Sequence, residues 1–115
     1  MSDESSILGK WTIFKAFVAG RESKYLPGTN IVFNANHSWR QIDGVDTNSV
    51  RYDVHYSPKP YQIDIHLDDG INQGIFEFRD NLLVICSADE ENTPRPTEFS
   101  STAENGHSLV FHRRI

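Results

Sequence analysis

Apolar and polar side chains alternate along two neighbouring stretches of this chain, residues 50–57 and residues 61–68. A period of two places every second side chain on one face, which is typical of a strand with one buried side. Pro58 and Pro60 stand between the two stretches, and a proline cannot donate to a strand ladder, so this connection is a turn. The pattern predicts an antiparallel hairpin and favours a fold built from sheet.

The same alternation recurs along most of the chain, and the connections are mostly short and rich in turn residues, such as Asp43-Gly44 and Asp80-Asn81. Sequential antiparallel strands with short turns close naturally into a barrel, which leaves no exposed edge. The chain has 115 residues, a common size for one domain. We therefore predict an all-β fold, with residues 1–115 forming one small antiparallel up-and-down eight-stranded barrel. The predicted strands are 11–18, 30–35, 38–42, 50–57, 61–68, 74–79, 82–87 and 108–113.

Two marks stand at the ends of the predicted barrel. Gly9 and Trp11 open the first strand, and Arg113 and Arg114 close the last. The first and last strands of such a barrel are neighbours, so a guanidinium group can cover the tryptophan ring in a cation–π contact. These four residues predict a lipocalin-like closure of the barrel floor.

Sequence motifs are spread in order over nearly the whole chain. They are Leu8-Gly9-Lys10-Trp11-Thr12, Ile31-Val32-Phe33, Pro58-Lys59-Pro60-Tyr61-Gln62-Ile63-Asp64, Leu82-Leu83-Val84-Ile85-Cys86, Arg95-Pro96-Thr97-Glu98-Phe99 and Phe111-His112-Arg113. Together they resemble a family of small bacterial lipocalin-like domains of unknown function, best known from planctomycetes. The resemblance implies a lipocalin-like barrel, and it implies no activity, because that family has no established catalytic residues.

The negative charge is concentrated in the middle of the chain. Residues 43–104 carry thirteen acidic and four basic side chains, whereas the whole chain has a net charge of −5. Binding to a phosphate backbone needs clustered lysine and arginine, so we expect no nucleic-acid partner. An acidic surface suits a basic protein partner, and it also keeps a small domain soluble. The candidate partner-binding residues are Asp53, Asp64, Asp68, Asp69, Asp89, Glu90 and Glu91.

The sequence contains no pattern that singles out a catalytic centre. There is no Gly-x-Ser-x-Gly elbow and no phosphate-binding loop. Asp64, His66 and Asp68 share one strand face, with Asp53 and His55 on the paired strand, but same-face neighbours lie about 7 Å apart and seldom converge on one ion. We expect a solvated polar face there, and no metal, no cofactor and no enzymatic activity.

The compartment is indicated by three features. Cys86 is the only cysteine, so neither an internal disulfide nor a cysteine-based zinc site is expected. Residues 1–6 are acidic and polar, unlike a secretory signal, and no apolar run reaches membrane-spanning length. We expect a cytoplasmic protein with no membrane partner.

Several side chains leave two interpretations open. Arg95 either binds an anion in a barrel mouth or ties its loop down through backbone carbonyls and Glu98, and Trp39 either stacks a ligand or fills the core. If Arg79 pairs with Leu82, one face of that hairpin carries Phe76, Phe78, Leu83 and Ile85, and the other carries Ile75, Glu77, Leu82, Val84 and Cys86. The second set is either an exposed interaction patch or is covered by part of residues 88–102.

Two functions fit this profile. The first is a protein-binding module, namely an immunity protein that neutralises a cognate bacterial toxin of a basic, nuclease type. Its acidic groups would speed association, and an apolar anchor would supply most of the affinity. The alternative is a carrier or sensor of a small apolar ligand inside the barrel. We expect aromatic side chains to fill most of that interior, namely Trp11, Phe33, Tyr52, Phe76, Phe78 and Phe111. A roomy cavity would instead favour the carrier.

Overall fold

Strands form all the regular secondary structure in the described part of the chain. The structure is a computed structural model that describes residues 6–57, 59–88 and 93–115. No helix in these ranges is long and apolar enough to cross a membrane. The strands are β1 (Gly9–Val18), β2 (Arg21–Glu22), β3 (Asn30–Phe33), β4 (His37–Ile42), β5 (Val45–Asp46), β6 (Val50–His55), β7 (Tyr61–Leu67), β8 (Gly70–Arg79), β9 (Leu82–Ser87) and β10 (Ser108–Arg114).

Eight of these strands form a closed barrel. They follow the order β1-β3-β4-β6-β7-β8-β9-β10, and β10 pairs again with β1. Each of these pairings is antiparallel. The two-residue strands β2 and β5 pair in antiparallel fashion with the last residues of β1 and β4. The predicted all-β, up-and-down, eight-stranded lipocalin-like barrel is therefore confirmed; β2 and β5 escaped prediction because two residues are too few to show a period.

The registers of two hairpins also agree with the alternation. Asp53 lies opposite Asp64 across β6 and β7. In the next hairpin but one, Arg79 lies opposite Leu82. The turn between them, Asp80-Asn81, has φ angles of 51° and 68°, as a two-residue hairpin turn requires. The strand β8 begins four residues earlier than predicted, because residues 70–73 pair with β7 without showing an alternating pattern.

One end of the barrel, called here the floor, is filled largely by aromatic side chains that pack against one another. Phe33 and Tyr52 meet edge to face, with ring centroids 5.1 Å apart. Phe76 and Phe78 make a second such pair at 5.9 Å. Such contacts add to the stabilisation from burying the rings. The buried residues of this floor core are Ile7, Trp11, Phe33, Tyr52, Ile63, Phe76 and Leu83.

Trp11 is held at the floor by contacts on its edge and on its face. It is 1% exposed, and its indole N–H donates to the carbonyl of Ile7 at 2.9 Å. The guanidinium carbon of Arg114 lies 4.0 Å from the ring centroid. Arg113 instead covers Phe14, at 4.8 Å. Of the two terminal arginines, the structure thus brings Arg114 to Trp11 and places Arg113 over a different ring.

Arg114 also joins the last strand to the segment before the first. Its guanidinium donates to the carbonyls of Leu8 and Ser6, at 2.8 and 2.9 Å. Gly9 makes room for this contact, because a Cβ there would lie 2.9 Å from Nη1 of Arg114, and because its φ of 122° is strained for other residues. Three of the four residues expected at the floor, Gly9, Trp11 and Arg114, therefore lie together there, whereas Arg113 lies over Phe14.

We predict that Trp11→Ala lowers the free energy of unfolding by about 3–5 kcal/mol, because it empties a fully buried site. Arg114→Ala removes one cation–π contact and two hydrogen bonds, and should cost about 1–2 kcal/mol. Arg113→Ala is the matched control and should cost less than Arg114→Ala. Urea unfolding monitored by circular dichroism measures all three. A cost below about 1 kcal/mol for Trp11→Ala would show that the floor does not depend on this side chain.

Candidate functional site

A cavity of about 330 Å³ occupies the barrel interior at the end opposite the floor. It is partly open to solvent, and the lining includes Leu26, from the loop after β2, and Thr47 and Asn48, which follow β5. Its walls are mainly aliphatic. The aliphatic lining from the strands includes Ile13, Ile31, Ile63, Ile65, Ile85 and Val110.

The cavity exists because several inward positions carry little or no side chain. Ser38, Gly74 and Ser87 all line it. At Gly74 a Cβ would lie 2.9 Å from the carbonyl oxygen of Cys86, so the backbone leaves no space for a larger residue. An eight-stranded barrel is just wide enough for its side chains to fill it, so small residues at this level leave the centre empty.

The expectation that six aromatic residues would fill the interior is wrong for this half of the barrel. Phe111 faces outward, where it contacts Phe14 and Phe17 at centroid distances of 6.4 and 6.5 Å. Its neighbour His112 takes the inward position instead and lines the cavity. Alternation along β10 forces this arrangement, since adjacent side chains point to opposite faces.

His112 is a buried, uncharged wall of the cavity. It is 2% exposed, and its Nδ1 lies 2.9 Å from the carbonyl oxygen of Leu83. Burial lowers the pKa of His112 to about 4, and the positive charge of Arg40 adds to this, although the Leu83 hydrogen bond opposes it. The ring is therefore neutral at pH 7. Because a carbonyl only accepts, Nδ1 carries the hydrogen and Nε2 is left as an acceptor.

Arg40 and Asn72 are among the other polar residues that line the cavity, together with Ser38, Trp39, Thr47, Asn48 and Ser87. Arg40 lies opposite Ile31 in the ladder between β3 and β4. The Oδ1 atom of Asn72 is buried and has no hydrogen-bond partner among the residues described. Leaving a buried acceptor unpaired costs about 1–3 kcal/mol, so such an atom marks a place for a donor from outside the chain.

The acidic candidates divide into separate groups. Asp53 and Asp64 lie side by side across β6 and β7. Asp68 and Asp69 follow the last residue of β7, Leu67, which lines the cavity, and they form the turn before β8. The remaining three, Asp89, Glu90 and Glu91, lie outside the described residues.

Two of these carboxylates already have basic partners in the chain. An oxygen of Asp53 lies 2.6 Å from Nε2 of His66, and this hydrogen bond lowers the pKa of the Asp53 carboxyl. Asp64 accepts from Arg95 at 2.7 Å. These pairings reduce the negative field at the place where the two carboxylates meet. Over the described ranges, no three histidine, cysteine or acidic side chains are arranged to hold a metal ion.

Arg95 fastens the segment 93–102 to the outside of the barrel. Its guanidinium donates to the carbonyl of Gly74 at 2.9 Å and to that of Ile63 at 3.3 Å, as well as to Asp64. It also donates to the side chain of Gln73 at 3.0 Å. Of the two interpretations of Arg95, the structure supports the tie through backbone carbonyls, with Asp64 in place of Glu98.

The segment 93–102, called here the strap, covers the second apolar face. The thiol of Cys86 lies 3.4 Å from the carbonyl oxygen of Ser100. Ile75, Val84 and Cys86 are each no more than 1% exposed. The interpretation of this face as an exposed interaction patch is therefore wrong.

Trp39, the other open case, is half-buried, and its Nε1 is buried with no partner in the part of the chain that the structure describes.

Sequence reasoning missed Arg40, Asn72 and His112 as a group. The available signal was alternation, because Ser38 and Arg40 share the inward face of β4 with no apolar residue between them on that face. Comparison of the chain with protein-family models, with curated proteins and with solved structures found no match. What the protein does must therefore be inferred from the geometry of the barrel and the chemistry of its cavity.

We predict that Arg95→Ala loosens the strap and exposes Cys86, whose pKa is raised by burial. Reaction of the thiol with a disulfide reagent under native conditions should then accelerate by about tenfold or more, since a locally opened thiol reacts as an exposed one. The exposed Arg51, changed to alanine, is the control and should leave the labelling rate as it is. Unchanged labelling in Arg95→Ala would mean that the strap is held by other contacts.

We also predict that the stability falls in acid because of His112. Its native pKa of about 4 lies below the value of about 6.5 expected in the unfolded chain, so stability is fully present above pH 6.5 and is lost as the pH falls towards 4. The loss amounts to about 3 kcal/mol over that window. His112→Asn keeps a donor for the Leu83 carbonyl and should remove this part of the pH dependence. Urea unfolding of both proteins at several pH values measures it, and equal slopes would contradict the assignment.

Proposed function

We propose that the protein is a carrier or sensor of a small ligand held inside the barrel. The observation that carries this proposal is the partly open cavity of about 330 Å³ above the floor core. Small-molecule sites in proteins are concave, largely apolar and mostly preformed, and volumes from about 300 Å³ are typical of them. The aliphatic walls match this description, with a few polar groups to orient the ligand.

The energetics of the barrel favour the same proposal. An unfilled apolar cavity costs stability, because its lining atoms lose contacts with neighbours. The floor core shows that large side chains can pack closely inside this barrel. The upper half of the barrel is open because small residues, namely Ser38, Gly74 and Ser87, occupy inward positions there. A bound ligand would supply the contacts that the atoms lining the cavity lack.

The protein-binding alternative has less support from the geometry. Its carboxylates at Asp53 and Asp64 are hydrogen-bonded within the chain, and the second apolar face lies beneath the strap. Partner binding by the acidic residues stays a prediction, and we place the carrier ahead of it.

The proposal predicts that phenylnaphthylamine, an uncharged dye that fluoresces in apolar surroundings, binds with a dissociation constant in the micromolar range, about −8 kcal/mol. Val110→Phe fills the cavity and should weaken this binding by about tenfold or more, since the dye and the new ring compete for the same volume. Val45→Phe makes the same change at an exposed position and is the matched control. Fluorescence titration measures both.

Circular dichroism of each variant verifies that it is folded. Absence of saturable dye binding by the wild-type protein, or equal binding by a folded Val110→Phe, would contradict the carrier function.

A further inference from the structure

The charge on the cavity lining itself comes from one residue, although Asp68 and Asp69 follow the lining residue Leu67 in the turn before β8. Among the described residues that line it, Arg40 alone carries a full charge at neutral pH, because His112 is neutral there. The ion pairs found in the described ranges involve Arg79, Arg95 and His66, and none involves Arg40. The guanidinium of Arg40 also lies close enough to His112 to disfavour its protonation. A cation beside apolar walls and without a carboxylate partner favours an anionic ligand group.

The position of Arg40 is set by its backbone. Its N–H donates to the hydroxyl of Thr47 at 3.0 Å, and its carbonyl accepts from the N–H of Thr47 at 2.8 Å. These two bonds fix the end of β4 beside the open end of the cavity, where Thr47 also contributes to the lining. Arg40 is solvent-exposed although it lines the cavity, so it lies where the cavity opens to solvent.

Asn72 and His112 offer acceptors to a ligand, and the buried Nε1 of Trp39, which also lines the cavity, is a donor without a partner among the described residues. Asn72 presents a buried Oδ1 without a partner in the described structure, and it lies opposite Ile65 on the inward face. His112 presents Nε2, because its Nδ1–H is engaged by Leu83. A purely hydrocarbon ligand would leave the Asn72 oxygen unpaired and desolvated, whereas a ligand with one N–H or O–H group would pair it.

We propose that the cavity binds a small organic acid that carries one hydrogen-bond donor. Its acid group lies against Arg40, its apolar body lies among Ile31, Ile65 and Ile85, and its N–H or O–H donates to Oδ1 of Asn72. This inference rests on the proposed carrier function and adds to it the chemical class of the ligand.

The charge requirement is tested with two dyes of nearly the same shape. Anilinonaphthalene sulfonate and phenylnaphthylamine share an apolar body with one N–H, and only the first carries a sulfonate. The wild-type protein should bind the sulfonate by about tenfold more tightly, and Arg40→Gln should abolish that preference while changing phenylnaphthylamine binding by less than about twofold. Arg40→Lys should restore part of it. Arg51→Gln removes the same charge elsewhere and should leave both affinities unchanged.

The donor requirement is tested with benzylnaphthalene, in which a methylene replaces the N–H of phenylnaphthylamine. Competition with the fluorescent dye should show benzylnaphthalene binding about fivefold to tenfold more weakly to the wild-type protein. Asn72→Leu, which removes the acceptor at nearly constant volume, should make the two ligands equal.

The outcomes separate the two proposals. Equal binding of both dyes that Arg40→Gln does not change would overturn the organic-acid inference and leave the carrier function standing. A preference for phenylnaphthylamine over benzylnaphthalene that survives Asn72→Leu would overturn the assignment of the donor to Asn72. If the wild-type protein binds neither dye, the carrier function fails, and the ligand class fails with it.

Discussion

The pairing of β10 with β1 is the constraint on which the rest of the structure depends. It joins the two ends of the sheet, removes both exposed edges and fixes the inside of the barrel for every strand between them. The contact of Arg114 with Trp11 holds this closure at the floor. Because Arg114 also donates to the carbonyls of Ser6 and Leu8, it holds the segment before β1 against the last strand.

The two halves of the barrel interior differ in how they are filled. Below, aromatic rings pack against one another in the floor core. Above, small inward residues leave a cavity, and Arg40, Asn72 and His112 place one cation and two acceptors on its wall. On the outside, Arg95 draws the strap across the face that contains Cys86. The organisation of charge and volume therefore points to the upper interior as the place where a ligand meets this protein.

Local patterns explain why the strands and hairpin registers were predictable. The period of two and the two-residue turn at Asp80-Asn81 act between near neighbours in the chain, and they determine which faces meet across a hairpin. The strap was predictable only as one of two possibilities, a segment that covers the second apolar face. Arg95 binds the carbonyl of Ile63, 32 residues away, and no local pattern indicates that contact.

The cavity was not predictable from the same patterns, because its volume depends on side chains from different strands that lie at one level of the barrel. Ser38 and Ser87 show no unusual pattern in their own strands, and they matter only because they line the same cavity as Gly74. Phe111 was counted as core by its residue type, whereas the register of β10 places it outside and His112 inside. The candidate partner-binding residues were selected by their charge alone. The pairing of Asp64 with Arg95 could be seen only in the folded structure, because the two residues are far apart in the sequence.

The central claim is that a ligand lies within the upper half of the barrel, and the location of a bound dye tests it most directly. Isoleucine-methyl-labelled protein saturated with phenylnaphthylamine can be examined for nuclear Overhauser effects between the dye and each methyl group. The account predicts contacts with the interior isoleucines at positions 13, 31, 65 and 85, and none with the exposed Ile42 or Ile115. Contacts confined to the exposed isoleucines would contradict it.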